Sequence, residues 1–412
     1  MKYGCIGEHL KHSFSKEIHN LLADYEYEIL EIERASLEKF AKEKGFNAIN
    51  VTIPYKELIM PYLYSIDEYA EKIGSVNTVV NRGGMLYGYN TDFYGMCMLI
   101  DHANIKIDGK KVVILGTGGT SKTAIAVSRH LGAKEIIVTS RKKSNTSIDY
   151  DELYEKHTDA QIIINTTPVG MYPEISNSPI DITKFDKLSG VIDAVYNPLR
   201  TQLILKAKEC GICAEGGLYM LVWQAVRASE IFLGTKYPLN KTDEIYEKIL
   251  SDKENVVLTG MPASGKTTVG KILAERLQRK FIDTDVLVEE KAGKSITEIF
   301  ETEGEEAFRD MEAEVIKEVS SLTGAVIATG GGSVLRKENL FNLKKNGKIY
   351  FIDRPLESLI PTSDRPLLRT REDIEKRYNE RYGIYAASAD VKINANTDAD
   401  TVSETILGDF LK

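Results

Sequence analysis

Asn255-Val256-Val257-Leu258-Thr259-Gly260-Met261-Pro262-Ala263-Ser264-Gly265-Lys266-Thr267-Thr268 reads as a buried strand that runs into a glycine-flanked loop and then a helix. From Gly260 onward it satisfies G-x-x-x-x-G-K-[ST], the P-loop, in its proper strand-to-helix context, with the helix predicted to about Leu277. The amides of Ala263, Ser264 and Gly265 and the Lys266 ammonium suit a polyphosphate. The Thr267 hydroxyl suits its magnesium, with Thr268 counted alongside, because dense negative charge must be neutralised before a hydroxyl can attack phosphorus. ATP and Mg2+ are the expected ligands of this segment.

Toward the C-terminus, Phe281-Ile282-Asp283-Thr284-Asp285 reads as a strand end whose two carboxylates point the same way, one toward a metal-bound water and the other toward substrate. Beyond it lie Gly304-Glu305-Glu306-Ala307-Phe308-Arg309-Asp310-Met311-Glu312, Ala328-Thr329-Gly330-Gly331-Gly332, Asp364-Arg365-Pro366-Leu367-Leu368 and Arg381. With the P-loop, this set resembles the shikimate kinase family over residues 254–412. The resemblance implies that Asp285 activates the substrate hydroxyl, leaving Asp283 to the metal, and that Arg309 and Arg381 grip a carboxylate. It further implies that Gly331 lets backbone approach the substrate ring and that Arg365, in a lid, meets the ATP phosphates. Two departures stand out: Ala263 occupies a position that is often glycine, and the short stretch from Pro355 to Ser363 leaves the adenine contact unassigned. Taken singly, the arginines read equally well as salt-bridged helix residues, and the glycine triplet as a turn.

Toward the N-terminus, the polar run Ser251-Asp252-Lys253-Glu254 reads as a join after a helix that ends near Leu250. Residues 1–250 divide again near Ile105-Lys106-Ile107-Asp108-Gly109. The expected organisation is a substrate lobe of residues 1–105 plus 218–250 and a Rossmann domain of residues 106–217, in an α/β chain built on parallel sheets. The strand Lys111 to Leu115 leads into Gly116-Thr117-Gly118-Gly119-Thr120-Ser121 and a helix over Ala124 to Leu131, so backbone amides can face a pyrophosphate there. Ser121 stands where the dinucleotide fingerprint has its third glycine. The next strand ends in Thr139-Ser140-Arg141-Lys142-Lys143, cations where an NAD enzyme places a carboxylate, so a 2′-phosphate and hence NADP(H) fit better. The bland alternative for these cations is a solvated loop.

Five further blocks are His12-Ser13-Phe14-Ser15, Asn50-Val51-Thr52-Ile53-Pro54-Tyr55-Lys56, Gly74-Ser75-Val76-Asn77-Thr78, Asn90-Thr91-Asp92 and Asn165-Thr166-Thr167-Pro168-Val169-Gly170-Met171. Together they resemble the shikimate dehydrogenase family over residues 1 to about 235. The resemblance assigns Ser13 and Ser15 to the substrate carboxylate, and Thr52, Asn77, Asp92 and Gln224 to ring hydroxyls. Lys56, paired with Asp92, donates the proton that quenches the developing alkoxide. Tyr196, Gly217 and Met220 match positions near substrate and nicotinamide. Lys16 in place of a proline, and Ile231-Phe232-Leu233-Gly234 in place of Trp-Thr-Gly, are peripheral departures.

A net charge of -8 argues against nucleic acid or an anionic membrane as partner, and 42% apolar residues in 412 allow two or three cores. Small-molecule substrates, 3-dehydroshikimate and shikimate, are the expected partners. Cys5, Cys97, Cys210 and Cys213 make neither a disulfide framework nor a zinc site, and with no signal or spanning segment the expectation is cytoplasmic. One rival reading is a quinate dehydrogenase using NAD, fused to a kinase of another hydroxylated substrate. Another is that one half is a silent regulatory module, against which Lys56, Asp92, Lys266 and Asp285 are all present. Oligomeric state, channelling and the relative orientation of the halves are not legible in the sequence.

Overall fold

The computed structural model describes residues 2–8, 10, 14–360 and 370–411, so Ser13 and Arg365 lie outside the described residues. The chain folds into two compact units, Met1–Ile249 and Leu250–Lys412.

The first unit holds two sheets. One contains β1 (Tyr3–Gly7), β2 (Tyr27–Glu31), β3 (Ala48–Val51), β4 (Ser65–Ile66), β5 (Thr78–Arg82) and β6 (Met85–Tyr89), in the order β2-β1-β3-β5-β6-β4. Its first three strands are parallel, but β5 runs antiparallel to both β3 and β6, so this sheet departs from the all-parallel expectation. The cause is local. Gly83 and Gly84 both take positive φ (60° and 83°), which closes β5 and β6 into a two-residue hairpin.

The other sheet is wholly parallel: β7 (Lys111–Leu115), β8 (Glu135–Thr139), β9 (Ile162–Asn165), β10 (Gly190–Asp193) and β11 (Cys213–Glu215), in the order β11-β10-β9-β7-β8. Strand order reverses between β7 and β9, the point where open α/β sheets place ligands. The loops that leave these two strands meet there, since a Cβ on Gly116 would stand 2.9 Å from Thr166 Oγ1. Apolar side chains cover both faces of this sheet. Ile114, Val127 and Trp223 lie in one cluster, and Val113, Leu153 and Ile204 in the other.

The helix Leu218–Leu233 packs back on the first sheet, with Ala228 and Phe232 among Cys5, Tyr27 and Ala48. It also crosses the helix Asp92–His102 closely enough that a Cβ on Gly95 would meet the Met220 carbonyl at 2.7 Å. The helix after the glycine-rich loop spans Gly119–His130, starting earlier than its apolar residues alone suggested. The helix Leu239–Lys253 takes in the polar residues 251–253 that the sequence reading placed outside it. A lysine at the C-terminal end complements the helix dipole, so the polar run makes a last turn rather than a loop.

The second unit holds one parallel sheet: β12 (Asn255–Thr259), β13 (Lys280–Asp283), β14 (Ala325–Ala328), β15 (Gly347–Asp353) and β16 (Val391–Asn394), in the order β13-β14-β12-β15-β16. β12 is central, and the helix Lys266–Leu277 follows its loop. Leu258, Leu273 and Ile406 fill one face, and Val257, Phe308 and Ile316 the other.

Candidate functional site

In the first unit, Lys56 stands in the short helix Tyr55–Leu58 after β3, and Asp92 opens the helix Asp92–His102 after β6. Lys56 Nζ donates to Asp92 Oδ2 at 2.6 Å, with side chains only 13% and 6% exposed. Partial burial keeps water from screening this pair. Asn77 sits between strands and helices. Its Oδ1 accepts from the Thr91 amide (2.7 Å), which turns its Nδ2 toward Asp92 Oδ1 (2.8 Å) and Gln224 Oε1 (3.3 Å). Lys56, Asn77, Asp92 and Gln224 therefore form one hydrogen-bonded cluster drawn from three helices and the loop before β5. Thr91 belongs to this cluster and was passed over as a site residue, although its place between Asn90 and Asp92 in a quoted block was a signal for it.

The glycine-rich loop adjoins this cluster. A Cβ on Gly119 would meet Ser75 Oγ at 3.1 Å and Lys56 Cδ at 3.4 Å, and Ser75 Oγ is buried with no hydrogen-bond partner. One turn into the helix, Lys122 pairs with Glu57 at 2.7 Å, beside Lys56. Gly116 has a φ of 108°, Thr117 and Gly118 are exposed, and Gly118 caps the helix that Gly119 and Thr120 begin. Exposure of Thr117 and Gly118 at the start of this helix suits a pyrophosphate.

Arg141 and Ser140 follow β8. The Ser140 hydroxyl donates to the Lys142 carbonyl (2.6 Å), and Lys143 pairs with Glu152 (2.5 Å). Arg141 is exposed, and no carboxylate pairs with it among the described residues. A guanidinium without a carboxylate on the rim of a dinucleotide fold fits a 2′-phosphate.

Ser15 begins the helix Ser15–Leu22 and is buried. Tyr196, after β10, stacks at a tilt against Phe14 with 5.3 Å between ring centroids, beside the segment that carries Ser15. Thr52 is half-buried after β3, its amide donating to Ile6 O at 3.0 Å. Gly217 caps the helix of Gln224 where a Cβ would strike the Ala194 carbonyl at 2.3 Å.

The second unit gathers its site around the glycine triplet after β14. A Cβ on Gly330 would stand 2.4 Å from Asp285 Oδ1, one on Gly331 2.4 Å from Pro262 Cγ, and one on Gly332 2.1 Å from Arg309 Nη1. Three glycines thus bring the P-loop, the acid Asp285 and the cation Arg309 against one stretch of backbone. Arg381 Nη1 donates to the Gly331 carbonyl at 3.0 Å, and the Tyr385 hydroxyl donates to the same oxygen.

Arg309 and Arg381 are both buried. Burial pulls the Arg309 guanidinium down, but Glu312 and Glu305, at 2.8 and 3.3 Å, outweigh it and leave it raised. Burial lowers Arg381. Glu312 was not singled out, although its i+3 spacing from Arg309 marks the pair.

Asp283 and Asp285 are not alternate residues of one strand. β13 stops at Asp283, which caps the helix Thr284–Ala292 by accepting from the Asp285 amide at 3.1 Å. An Asp at a strand end satisfies a free helical N–H, and the helix then turns Asp285 toward Gly330. The other Asp283 oxygen accepts from Thr267 Oγ1 at 2.8 Å, so the two residues assigned to magnesium do meet. Lys266 Nζ lies across the loop on the Gly260 and Met261 carbonyls (both 2.9 Å), Ala263 takes a positive φ of 64°, and Ser264 Oγ is buried without a partner. Thr268 continues the helix Lys266–Leu277 and is exposed. An enclosed loop hydroxyl, a lysine and a threonine–aspartate pair fit magnesium and a nucleotide phosphate chain.

No helix among the described residues is long and apolar enough to cross a membrane. Residues 5–79 match the family model of the shikimate dehydrogenase substrate binding domain, and residues 262–410 match that of shikimate kinase. A shikimate dehydrogenase (NADP(+)) of Clostridium beijerinckii is 37% identical over 259 residues, 59% of this chain and 96% of its own length. The crystal structure of shikimate dehydrogenase 1 from Peptoclostridium difficile is 39% identical with a TM-score of 0.57, over 60% of this chain and 98% of its own. A shikimate 5-dehydrogenase from Thermus thermophilus in complex with NADP(H) and shikimate is 27% identical with a TM-score of 0.55, over 60% and 99% of the two chains.

Proposed function

The chain belongs to the shikimate dehydrogenase family over its first part and carries a shikimate kinase domain beyond it, and on that premise we propose that it performs two consecutive reactions. It reduces 3-dehydroshikimate to shikimate with NADPH, and it phosphorylates shikimate with ATP to shikimate 3-phosphate, on the way to chorismate and the aromatic amino acids. The carrying observation is the closed cluster of Lys56, Asp92, Asn77 and Gln224 abutting the Gly119 turn, which sets a proton donor beside the place for a dinucleotide.

When bound, NADPH supplies the hydride for one reaction, and magnesium ATP the phosphoryl group for the other. Lys56 gives its proton to the developing alkoxide, while Asp92 holds that ammonium in place and Asn77 in turn holds Asp92. Ser13 and Ser15 hold the substrate carboxylate, Thr52, Asn77, Asp92 and Gln224 the ring hydroxyls, and Tyr196 lies near substrate. In the kinase half Asp285 takes the hydroxyl proton, Arg309 and Arg381 hold the carboxylate, and Lys266 and Arg365 balance phosphate charge. Thr267 and Asp283, which meet each other, would hold the metal, which would offset phosphate charge. The product of the first half is the substrate of the second, which explains why both sit on one chain.

The test gives one purified sample shikimate with NADP, NAD or magnesium ATP in separate tubes, following reduced cofactor and shikimate 3-phosphate. Turnover is expected with NADP and with ATP. Lys56→Ala should abolish the first and spare the second, and Lys266→Ala the reverse. Silence of the wild-type chain in either tube would refute the reading for that half.

A further inference from the structure

Arg354 is the residue directly after β15, the strand paired in parallel with β12 on the side away from β14. It therefore leaves the sheet at the edge from which the P-loop springs. Its guanidinium Nη1 lies 3.8 Å from the point where a Cβ on Gly265 would stand. The side chain is half-buried, and its Nε is enclosed with no hydrogen-bond partner. Among the described residues no carboxylate pairs with it. Its neighbour Asp353 is already engaged, accepting from the Tyr382 hydroxyl (3.1 Å) and pairing with Lys392 (3.3 Å).

Enclosing a guanidinium nitrogen without a partner costs stability, and such groups are rare unless something else meets them. A planar cation with five donors, held against a loop whose amides cradle phosphate, is matched in charge and geometry to phosphate oxygens. Neither the P-loop spacing nor the family resemblance assigned this residue a role.

We propose that Arg354 is a nucleotide-binding residue of the kinase half, its guanidinium contacting the phosphate chain held by residues 260–267 and adding a second fixed positive charge to that of Lys266. The inference rests on the reading of that loop as the ATP site. It assigns Arg354 to the phosphates rather than to the base, because the guanidinium lies against Gly265, the residue before Lys266.

The test titrates the full chain and its Arg354→Gln and Arg354→Lys variants with magnesium ADP and, separately, with inorganic magnesium tripolyphosphate, by calorimetry. Arg354→Gln should bind both probes about tenfold more weakly, Arg354→Lys should fall between, and dehydrogenase turnover should be unchanged in both. Equal affinity of Arg354→Gln and wild type for both probes would overturn the proposal while leaving the ATP site standing. A loss for ADP without a loss for tripolyphosphate would place the residue on the nucleoside and overturn it too. A wild-type chain that binds neither probe would overturn the reading of the loop itself, and the proposal with it.

Discussion

Asp193, at the end of β10, is fully buried, and burial pushes its carboxyl up to about 7 although Thr201, Val195 and Asn165 all donate to it. A free Asp titrates near 3.9. Between about pH 4 and pH 7 the folded state therefore holds a proton that the unfolded chain has released. The stabilisation this group contributes is complete below the unfolded value and is lost as pH rises through about 7. Asp193→Asn preserves the shape and removes the titration. Trp223 is the single tryptophan and lies in the first unit, so urea unfolding followed by its fluorescence reports that unit. The variant should lose less stability than wild type between pH 4 and pH 7, and identical slopes would refute this assignment. At this scale the sequence was most informative where a residue's role depends on near neighbours. The P-loop is one local backbone demand, whereas the Arg309–Glu312 pair, though only three residues apart, was passed over. Arg354 was invisible because its neighbour Gly265 comes from the adjacent strand's loop.

Elements were legible wherever one period dominated. The strands Lys111–Leu115 and Asn255–Thr259 are built on the apolar runs 112–115 and 256–258, as buried parallel strands are. Asp285 was misplaced because Phe281-Ile282-Asp283 reads as a strand, and nothing in that run announces that Asp283 caps a helix. The antiparallel pairing of β5 and β6 rests on Gly83 and Gly84, a two-residue hairpin signal that the sequence reading passed over. How the helices Asp92–His102 and Leu218–Leu233 cross was beyond sequence reading altogether, since it depends on the missing side chain at Gly95. That crossing sets the separation of Asp92 from Gln224, both of which Asn77 touches. Gly95→Val should push the helices apart, destabilise the first unit by about 1–3 kcal/mol and raise the KM for shikimate several-fold, with kinase turnover unchanged. Steady-state kinetics and urea unfolding check this, and a wild-type KM in the variant would show that the close crossing does not position the site.

For the molecule as a whole, each unit has its own sheets and its own apolar clusters, which is the condition for unfolding as a separate cooperative step. A ligand that binds one folded unit stabilises that unit alone, by about 2.7 kcal/mol at a hundredfold excess over its Kd. Calorimetry should therefore resolve two transitions. NADP should raise the one that coincides with the Trp223 fluorescence change, and magnesium ADP the other. A single transition raised by both would show the halves to be one cooperative body.

The helix Leu239–Lys253 bears on how this chain can be divided for study. Its early turns serve the first unit, where Tyr246 stands 5.0 Å from Tyr219 in ring-to-ring contact and Asp243 accepts from the Tyr219 hydroxyl. Its final residues serve the second, where Arg279 donates to the Ser251 and Glu254 carbonyls and the Glu254 amide closes onto Leu250. A cut between Tyr246 and Leu250 leaves both sets of bonds whole, but it severs the continuous helix that carries them. Two polypeptides that each keep the segment, overlapping in sequence instead of sharing a border, preserve the helix's own turns as well.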